Sequence, residues 1–350
     1  LSGFTYAREG HPNAAVLAEK IDWLEGATGG IITGSGMAAV SAVFLGIFSA
    51  GDHVLAGDQL YGRSTRLLTQ DLPRMGFHTD LVDATNATAL EQAIRPETKM
   101  IFVEVVTNPT LRVADMKAIV AMARKHNLLL VVDNTFTTPR GFRPLDQGAD
   151  IVLHSITKLL AGHSDVTLGY VVAKDEPLNQ SIRDAVVTWG LTPSPWDCWL
   201  AERGLHSFDL RFERVQKNAV ALADFLADQA GVELVLYPGR VDHPDHERAC
   251  SLLGSNFGNI VSFRLAGGRA AANAFTLAAP QLAFAPTLGD VGTTISHPAS
   301  SSHRALCPDE REALGMTEGF FRVSVGIEDV ELLKREFGIA IEAAQKAADV

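Results

Sequence analysis

Cysteine is scarce in this chain. Cys198, Cys250 and Cys307 are its only three in 350 residues. They lie far apart and show no metal-site or redox spacing, so the reading is of reduced thiols in a cytoplasmic protein with no metal. Long apolar runs are missing too. The longest, 37–50, is broken by Ser and Gly and is too short to span a bilayer. Positive charge is in deficit: 30 Lys and Arg against 41 Asp and Glu leave a formal net charge of −11. That balance speaks against a dominant nucleic-acid or anionic-membrane surface. There is no internal repeat and no low-complexity tail. No secretory leader is recognisable; the chain opens at Leu1 rather than Met, and residues upstream are expected to be missing.

What is present is an ordinary globular composition, 47% hydrophobic and 20% charged, in a length that suits one large domain or two ordinary ones. In the first half, short apolar runs alternate with amphipathic segments. The runs at 53–56, 78–82, 100–105, 128–133, 151–154 and 168–173 predict strands; 64–75, 90–94 and 114–126 predict helices. Continuous Val, Ile and Leu imply strands buried on both faces, and the alternation implies an α/β domain with a mostly parallel sheet. The texture changes near 190–215. Pro193 and Pro195 mark a loop, a long helix is expected over 210–229, and separated strands follow at 232–237, 259–265, 281–285 and 320–325 before a final helix from 330 to 348. This predicts a large α/β domain over 1–205 and a smaller C-terminal α+β domain over 206–350.

Three features carry chemistry. Gly34-Ser35-Gly36-Met37-Ala38-Ala39 opens a helix. Glycines there let backbone N–H groups approach a phosphate, and the helix dipole favours the anion. The stretch also fits the dinucleotide pattern GxGxxA, with Asp52 and Asp58 as candidate acids downstream; a plain turn before a helix is the bland alternative. Asp133 closes the apolar run 128–133, at the strand end where α/β proteins place ligands; capping of the following Asn134-Thr135 is the alternative. Lys158 follows another strand in His154-Ser155-Ile156-Thr157-Lys158. A lysine becomes a nucleophile only after losing its proton, which partial desolvation favours; a surface lysine is the alternative. One explanation joins all three. A phosphate cradle, a carboxylate for a ring nitrogen and a Schiff-base lysine are what a pyridoxal 5'-phosphate site requires. Dinucleotide binding accounts for the glycines but not for Lys158.

With these residues in hand, the chain resembles the pyridoxal phosphate enzymes of cysteine and methionine metabolism. This is the cystathionine γ-synthase, cystathionine γ-lyase and methionine γ-lyase family, with fold-type I architecture. The resemblance runs through Tyr6-Ala7-Arg8, Gly34–Met37, Tyr61-Gly62, Asn108-Pro109, Val132–Thr135, His154–Asp165, Ile295–Pro298 and Arg322–Asp329. It implies that Lys158 bonds the cofactor and then moves protons, and that Asp133 pairs with the pyridine nitrogen. Tyr61 would stack on the ring and assist the leaving group. Gly36 and Met37 through N–H, and Ser155 and Thr157 through hydroxyls, would hold the phosphate. Tyr6 and Arg8 would reach the phosphate of a neighbouring subunit, in a homotetramer built from dimers that share active sites. Arg322 would clamp the substrate carboxylate, and Asn108 would touch the ring side. His154 and His163 match the family's structural pattern, and packing or hydrogen bonding is expected of them.

The reaction so implied is γ-elimination or γ-replacement on a homoserine- or methionine-type L-amino acid. The nearest alternative is a β-eliminating C–S lyase; more distant ones are an NAD-dependent oxidoreductase and a non-catalytic cofactor-binding protein. Departures from the family pattern touch the substrate. Ala285-Pro286-Thr287-Leu288-Gly289 stands where cystathionine-using members often carry Ala-Glu-Ser-Leu-Gly, so Pro286 removes a carboxylate that can meet a distal ammonium. Thr287 would keep a contact to the substrate carboxylate through its hydroxyl. Arg63 follows Tyr61-Gly62, where a cation suits an anionic leaving group such as a succinyl ester; a role at a subunit interface is the alternative. Ser301-Ser302-His303-Arg304 replaces a more usual Met-Thr-His.

Overall fold

The apolar runs of the first half become the strands of one sheet because their side chains are buried on both faces. A computed structural model describes residues 3–304 and 306–348. The chain divides into two compact units. One holds the chain through Thr107 together with Val113–Phe208; the other holds Asn108–Arg112 together with the chain from Asp209 onward.

The first unit is built on a seven-stranded sheet: β1 (Ile31–Thr33), β2 (His53–Gly57), β3 (His78–Val82), β4 (Thr98–Glu104), β5 (Leu129–Asp133), β6 (Ile151–Ser155) and β7 (Gly169–Ala173). Their order is β1-β7-β6-β5-β4-β2-β3. The block from β3 through β6 is parallel, and β7 and β1 pair antiparallel at the other side. In the middle, β2 and β4–β7 are buried along almost their whole length. β3 departs from the expectation of double burial: it is the edge strand, and none of its five residues is fully buried. Register brings the ends of the parallel strands level, since Glu104 pairs with Asp133 and Asp133 with Leu153. The C-terminal edge of a parallel sheet is where this architecture receives ligands.

Two elements at this edge are not apparent in the apolar pattern. One is helix α1 (Pro12–Glu25), with Pro12 at its start and Gly26 (φ 70°) closing it in the left-handed region. The other is β1, three residues long, which leads directly into helix α2 (Gly36–Ile47).

The second unit carries a five-stranded sheet. Its strands are β8 (Val232–Leu236), β9 (Ile260–Leu265), β10 (Ala283–Phe284), β11 (Thr294–Ser296) and β12 (Phe320–Ser324), in the order β10-β11-β12-β9-β8. Phe263, Phe275, Phe321 and Phe337 form its centre; Phe263 stacks on Phe321 at 5.4 Å and Phe275 lies 4.9 Å from the same ring. Such aromatic contacts add about 0.5–1.5 kcal/mol each beyond area burial. The helices Gly268–Ala278 and Val330–Ala348 pack against each other over this core.

Candidate active site

The phosphate-sized cradle of the first unit is built from backbone. Ser35 caps α2 by accepting the Ala38 N–H on its Oγ at 3.0 Å, and its carbonyl takes the Ala39 N–H at 3.1 Å. The N–H groups of Gly36 and Met37 make neither bond and stay at the helix mouth, where the dipole is positive. Gly36 is required by close approach. A Cβ there would stand 2.7 Å from Ser155 Cβ and 3.0 Å from Ser155 Oγ, so the end of β6 lies directly against the start of α2. Gly169 serves the same fit on β7, where a Cβ would meet Ser35 O at 2.2 Å. The residues present thus suit a phosphate: the N-terminus of α2 and the Ser155 side chain lie side by side. Thr157 is differently engaged. Its hydroxyl donates to Leu168 O at 3.2 Å and accepts from Leu168 N at 3.0 Å, which pins the turn after β6.

That turn carries Lys158. Its N–H donates to Ser155 O at 3.2 Å, and its carbonyl accepts from Gly162 N at 2.8 Å. Ile156, Leu159, Leu160, Ala161 and Gly162 are buried around it, while Lys158 itself is half-buried.

Asp133 ends β5. Its Oδ1 accepts the Thr135 N–H at 3.0 Å, so the local turn expected of it and a place at the sheet edge are both realised. Thr135 in turn accepts the Ser155 N–H at 2.8 Å, locking the ends of β5 and β6 together. Burial raises the Asp133 acid above its usual range, against the lowering effect of the Thr135 hydrogen bonds and of His154.

His154 is wholly buried and pairs through Nε2 with Glu25 Oε1 of α1. The same oxygen accepts from Asn134 Nδ2 at 3.0 Å, and Asn134 also donates to Phe142 O at 2.7 Å. One turn earlier, Asp22 accepts the Tyr170 hydroxyl at 2.6 Å. These buried groups brace the floor beneath Asp133. Hydrogen bonding is therefore the observed role of His154; His163 is exposed, with Nδ1 2.7 Å from Ala161 O.

Tyr61 precedes the helical turn α3 (Gly62–Arg66) and presents an exposed phenol. Its N–H donates to Glu104 Oε1 at 2.6 Å. Ser64 Oγ contacts Met37 Sδ at 3.8 Å, tying α3 to the mouth of α2. Arg63 is exposed. Tyr6 and Arg8 are exposed as well. The Arg8 guanidinium lies 5.0 Å from the Tyr6 ring centre and donates to Val187 O at 2.8 Å.

In the second unit, Arg322 on β12 is 5% exposed. It donates through one terminal nitrogen to Asn108 Oδ1 at 3.0 Å and through the other to the Thr287 carbonyl at 2.7 Å, and Nε is left without a partner. Burial pushes its pKa down to about 10. Both of these acceptors are neutral, so the buried positive charge is one that a carboxylate would satisfy. Ser262 donates to Pro109 O at 2.6 Å, which, with the Arg322 bond, explains why Asn108–Arg112 group with this unit. The Thr287 contact runs through its carbonyl to Arg322. Pro286 is exposed, and His303 has its pKa lowered by burial and by Arg322.

The family model described as Cys/Met metabolism PLP-dependent enzyme matches residues 1–342. The chain belongs to this family. It is a pyridoxal phosphate-dependent enzyme of the lyase and γ-substituting transferase class, with the fold-type I architecture, and the dinucleotide reading of Gly34–Ala39 is set aside. The chain is 40% identical to cystathionine gamma-lyase of Bacillus subtilis (strain 168), covering 97% of this chain and 89% of that protein. It is likewise 40% identical to cystathionine beta-lyase MetC of the same organism, covering 97% and 86%. A crystal structure of cystathionine gamma synthase from Xanthomonas oryzae pv. oryzae, in complex with aminoacrylate and cysteine, superposes with a TM-score of 0.95 at 38% identity, covering 99% of this chain and 89% of that one.

Sequence reasoning passed over Glu25, Asp22 and Glu104. The caps of α1, Pro12 and Gly26, were the signals available for the first two. An acid closing an otherwise apolar strand was the signal for Glu104, as it was for Asp133.

Proposed function

We propose that this enzyme catalyses γ-elimination or γ-replacement on a homoserine- or methionine-type L-amino acid. The observation that carries the reading is the convergence of Lys158, Asp133 and the Gly36–Ser155 cradle at one edge of the sheet. Pyridoxal phosphate, when bound, supplies an aldehyde carbon and a ring that accepts electrons from the substrate. Lys158 would hold that carbon through Nζ and, once released, take the proton from the substrate Cα. Asp133 would face the pyridine nitrogen and keep its proton in place. Gly36 N–H, Met37 N–H and the Ser155 hydroxyl would bind the phosphate; Thr157 would add its hydroxyl by turning the hydrogen away from Leu168 O. Tyr61 would hand a proton to the departing γ-group. Arg322 would bind the α-carboxylate, with Asn108 and Thr287 orienting the guanidinium.

Arg63 and Pro286 favour an ester of homoserine with an acidic acyl group over cystathionine, because the cation is exposed and the distal carboxylate is replaced. The test is a panel of cystathionine, methionine, O-acetylhomoserine and O-succinylhomoserine, each with and without a thiol. Release of 2-oxobutanoate or a new thioether is expected. Pyruvate from cystathionine would mark β-cleavage instead, and no turnover with any of them would mark a protein that binds the cofactor without using it. Arg63→Ala should lower kcat/KM for the succinyl ester roughly tenfold more than for the acetyl ester, as expected for loss of one charge pair. Equal losses would reject the role of Arg63.

The active protein is proposed to be a homotetramer in which Tyr6 and Arg8 serve a neighbouring site. Trp23 and Trp196, 76% and 65% exposed, support this: they lie on α1 and on the helix Pro195–Leu205, which pack together and leave large aromatic surface uncovered. Light scattering is expected to give four chain masses, and a monomer would contradict it. Among the described residues no helix is long and apolar enough to cross a membrane. The three unpaired cysteines fit the reducing cytoplasm, where we place the enzyme.

A further inference from the structure

Glu104 has no place in the chemistry described so far, yet it is an expensive residue to bury. It closes β4, is 7% exposed, and stands in register with Asp133, so two carboxyl groups face one another from adjacent strands. Residues 100–103 and 105–106 of the same segment are all apolar and buried. An apolar side chain would fit the strand better than an acid beside another acid.

Its carboxyl group accepts the Tyr61 N–H on Oε1 at 2.6 Å. On the other side of Tyr61, the carbonyl accepts from Thr65 N at 3.0 Å. The peptide groups flanking the Tyr61 Cα are thus held by two different elements, β4 and α3, while the phenol is exposed. Tyr61 is the N-cap of α3, and its own side chain accepts no helix N–H. Without Glu104, the N–H side of this residue has no anchor.

We propose that Glu104 is a positioning residue that fixes the Tyr61 backbone and thereby sets the phenol over the cofactor ring. This rests on the assignment of Tyr61 to that ring. Burial, and the nearby Asp133, raise the Glu104 acid well above the usual carboxyl range. A neutral carboxyl keeps a carbonyl oxygen that accepts the Tyr61 N–H and adds no second negative charge beside Asp133. Glutamine offers the same oxygen and the same charge, whereas methionine fills the volume with no comparable acceptor.

The experiment is a double-variant comparison read by cofactor affinity, with pyridoxal 5'-phosphate titrated into the apo-protein. Glu104→Gln should bind as wild type does. Glu104→Met should bind roughly tenfold more weakly, the loss expected when one buried backbone donor goes unpaired and its residue drifts. Tyr61→Ala should weaken binding to a similar degree, and adding Glu104→Met to Tyr61→Ala should cost nothing further. Hydrogen exchange at the Tyr61 amide should quicken in Glu104→Met and not in Glu104→Gln. Equal affinity of the Gln and Met variants, or losses that multiply in the double variant, would overturn the inference while leaving Tyr61 in place. If Tyr61→Ala binds as wild type does, the Tyr61 assignment falls and the inference with it. Should Glu104→Met not fold, Glu104→Ala replaces it with the same expectations.

Discussion

Replacing Lys158 with alanine is expected to abolish turnover and to shift the absorbance of bound cofactor from that of the covalent imine to that of the free aldehyde. The size of the effect follows from the two tasks assigned to one nitrogen. Proton transfer by a positioned side chain contributes about 10²- to 10⁴-fold, and the same nitrogen anchors the reacting carbon. The turn that carries it is tightly held. The turn after β6 is held by Lys158 N–H to Ser155 O, by Gly162 N–H to Lys158 O and by the two Thr157 bonds to Leu168. Arginine at 158 should fail as well, since a guanidinium does not give up its proton in this range. The phosphate contacts proposed for Gly36 and Ser155 do not use the Lys158 side chain, so the variant should still bind pyridoxal phosphate without covalent capture. Steady-state release of oxo acid, with the spectrum of the same sample, checks this; wild-type turnover would contradict it.

The second large effect is expected at Arg322. Removing one partner of a buried, hydrogen-bonded charge pair costs about 2–5 kcal/mol, so Arg322→Met should lower kcat/KM roughly 30- to 5,000-fold for an amino acid substrate. The comparison that isolates the carboxylate uses the same substrate as its carboxamide, for which wild type and variant should differ little. The apo-protein should behave in the opposite direction. Arg322 is buried with neutral acceptors and an unpartnered Nε, so an apolar replacement of similar volume should leave stability unchanged or raise it. A variant that unfolds, or one that loses amino acid and amide alike, would show that Arg322 serves packing rather than substrate.

Much of the first unit was legible because its chemistry is local. The runs at 78–82, 128–133 and 151–154 become β3, β5 and β6 within a residue at each end. Ser155, Thr157 and Lys158 lie within one turn, and the Gly34–Met37 stretch sits at a helix start that glycine spacing reveals. Helix α1 was missed for a physical reason. Its buried face carries Asp22 and Glu25 in line with Leu17, Ala18 and Ile21, and two carboxylates interrupt the apolar stripe on which recognition of a helix depends. What those carboxylates bind, His154, Asn134 and Tyr170, lies more than 100 positions away along the chain. β1 and β11, at three residues each, are too short to show a period. Glu104 illustrates the same limit. An acid at the end of an apolar strand is visible, but its pairing with the Tyr61 N–H, 43 residues earlier, depends on which strands become neighbours. The Arg322–Asn108 bond spans 214 positions, and nothing in the local pattern announces it.

The central claim is that Lys158 holds pyridoxal phosphate covalently. The most direct test is to load the wild-type protein with the cofactor, reduce it with borohydride, and map the modified peptide by mass spectrometry. The account predicts a visible band that bleaches on reduction and one modified lysine, at 158. A modification at another lysine, or none in a protein that binds the cofactor, would contradict it.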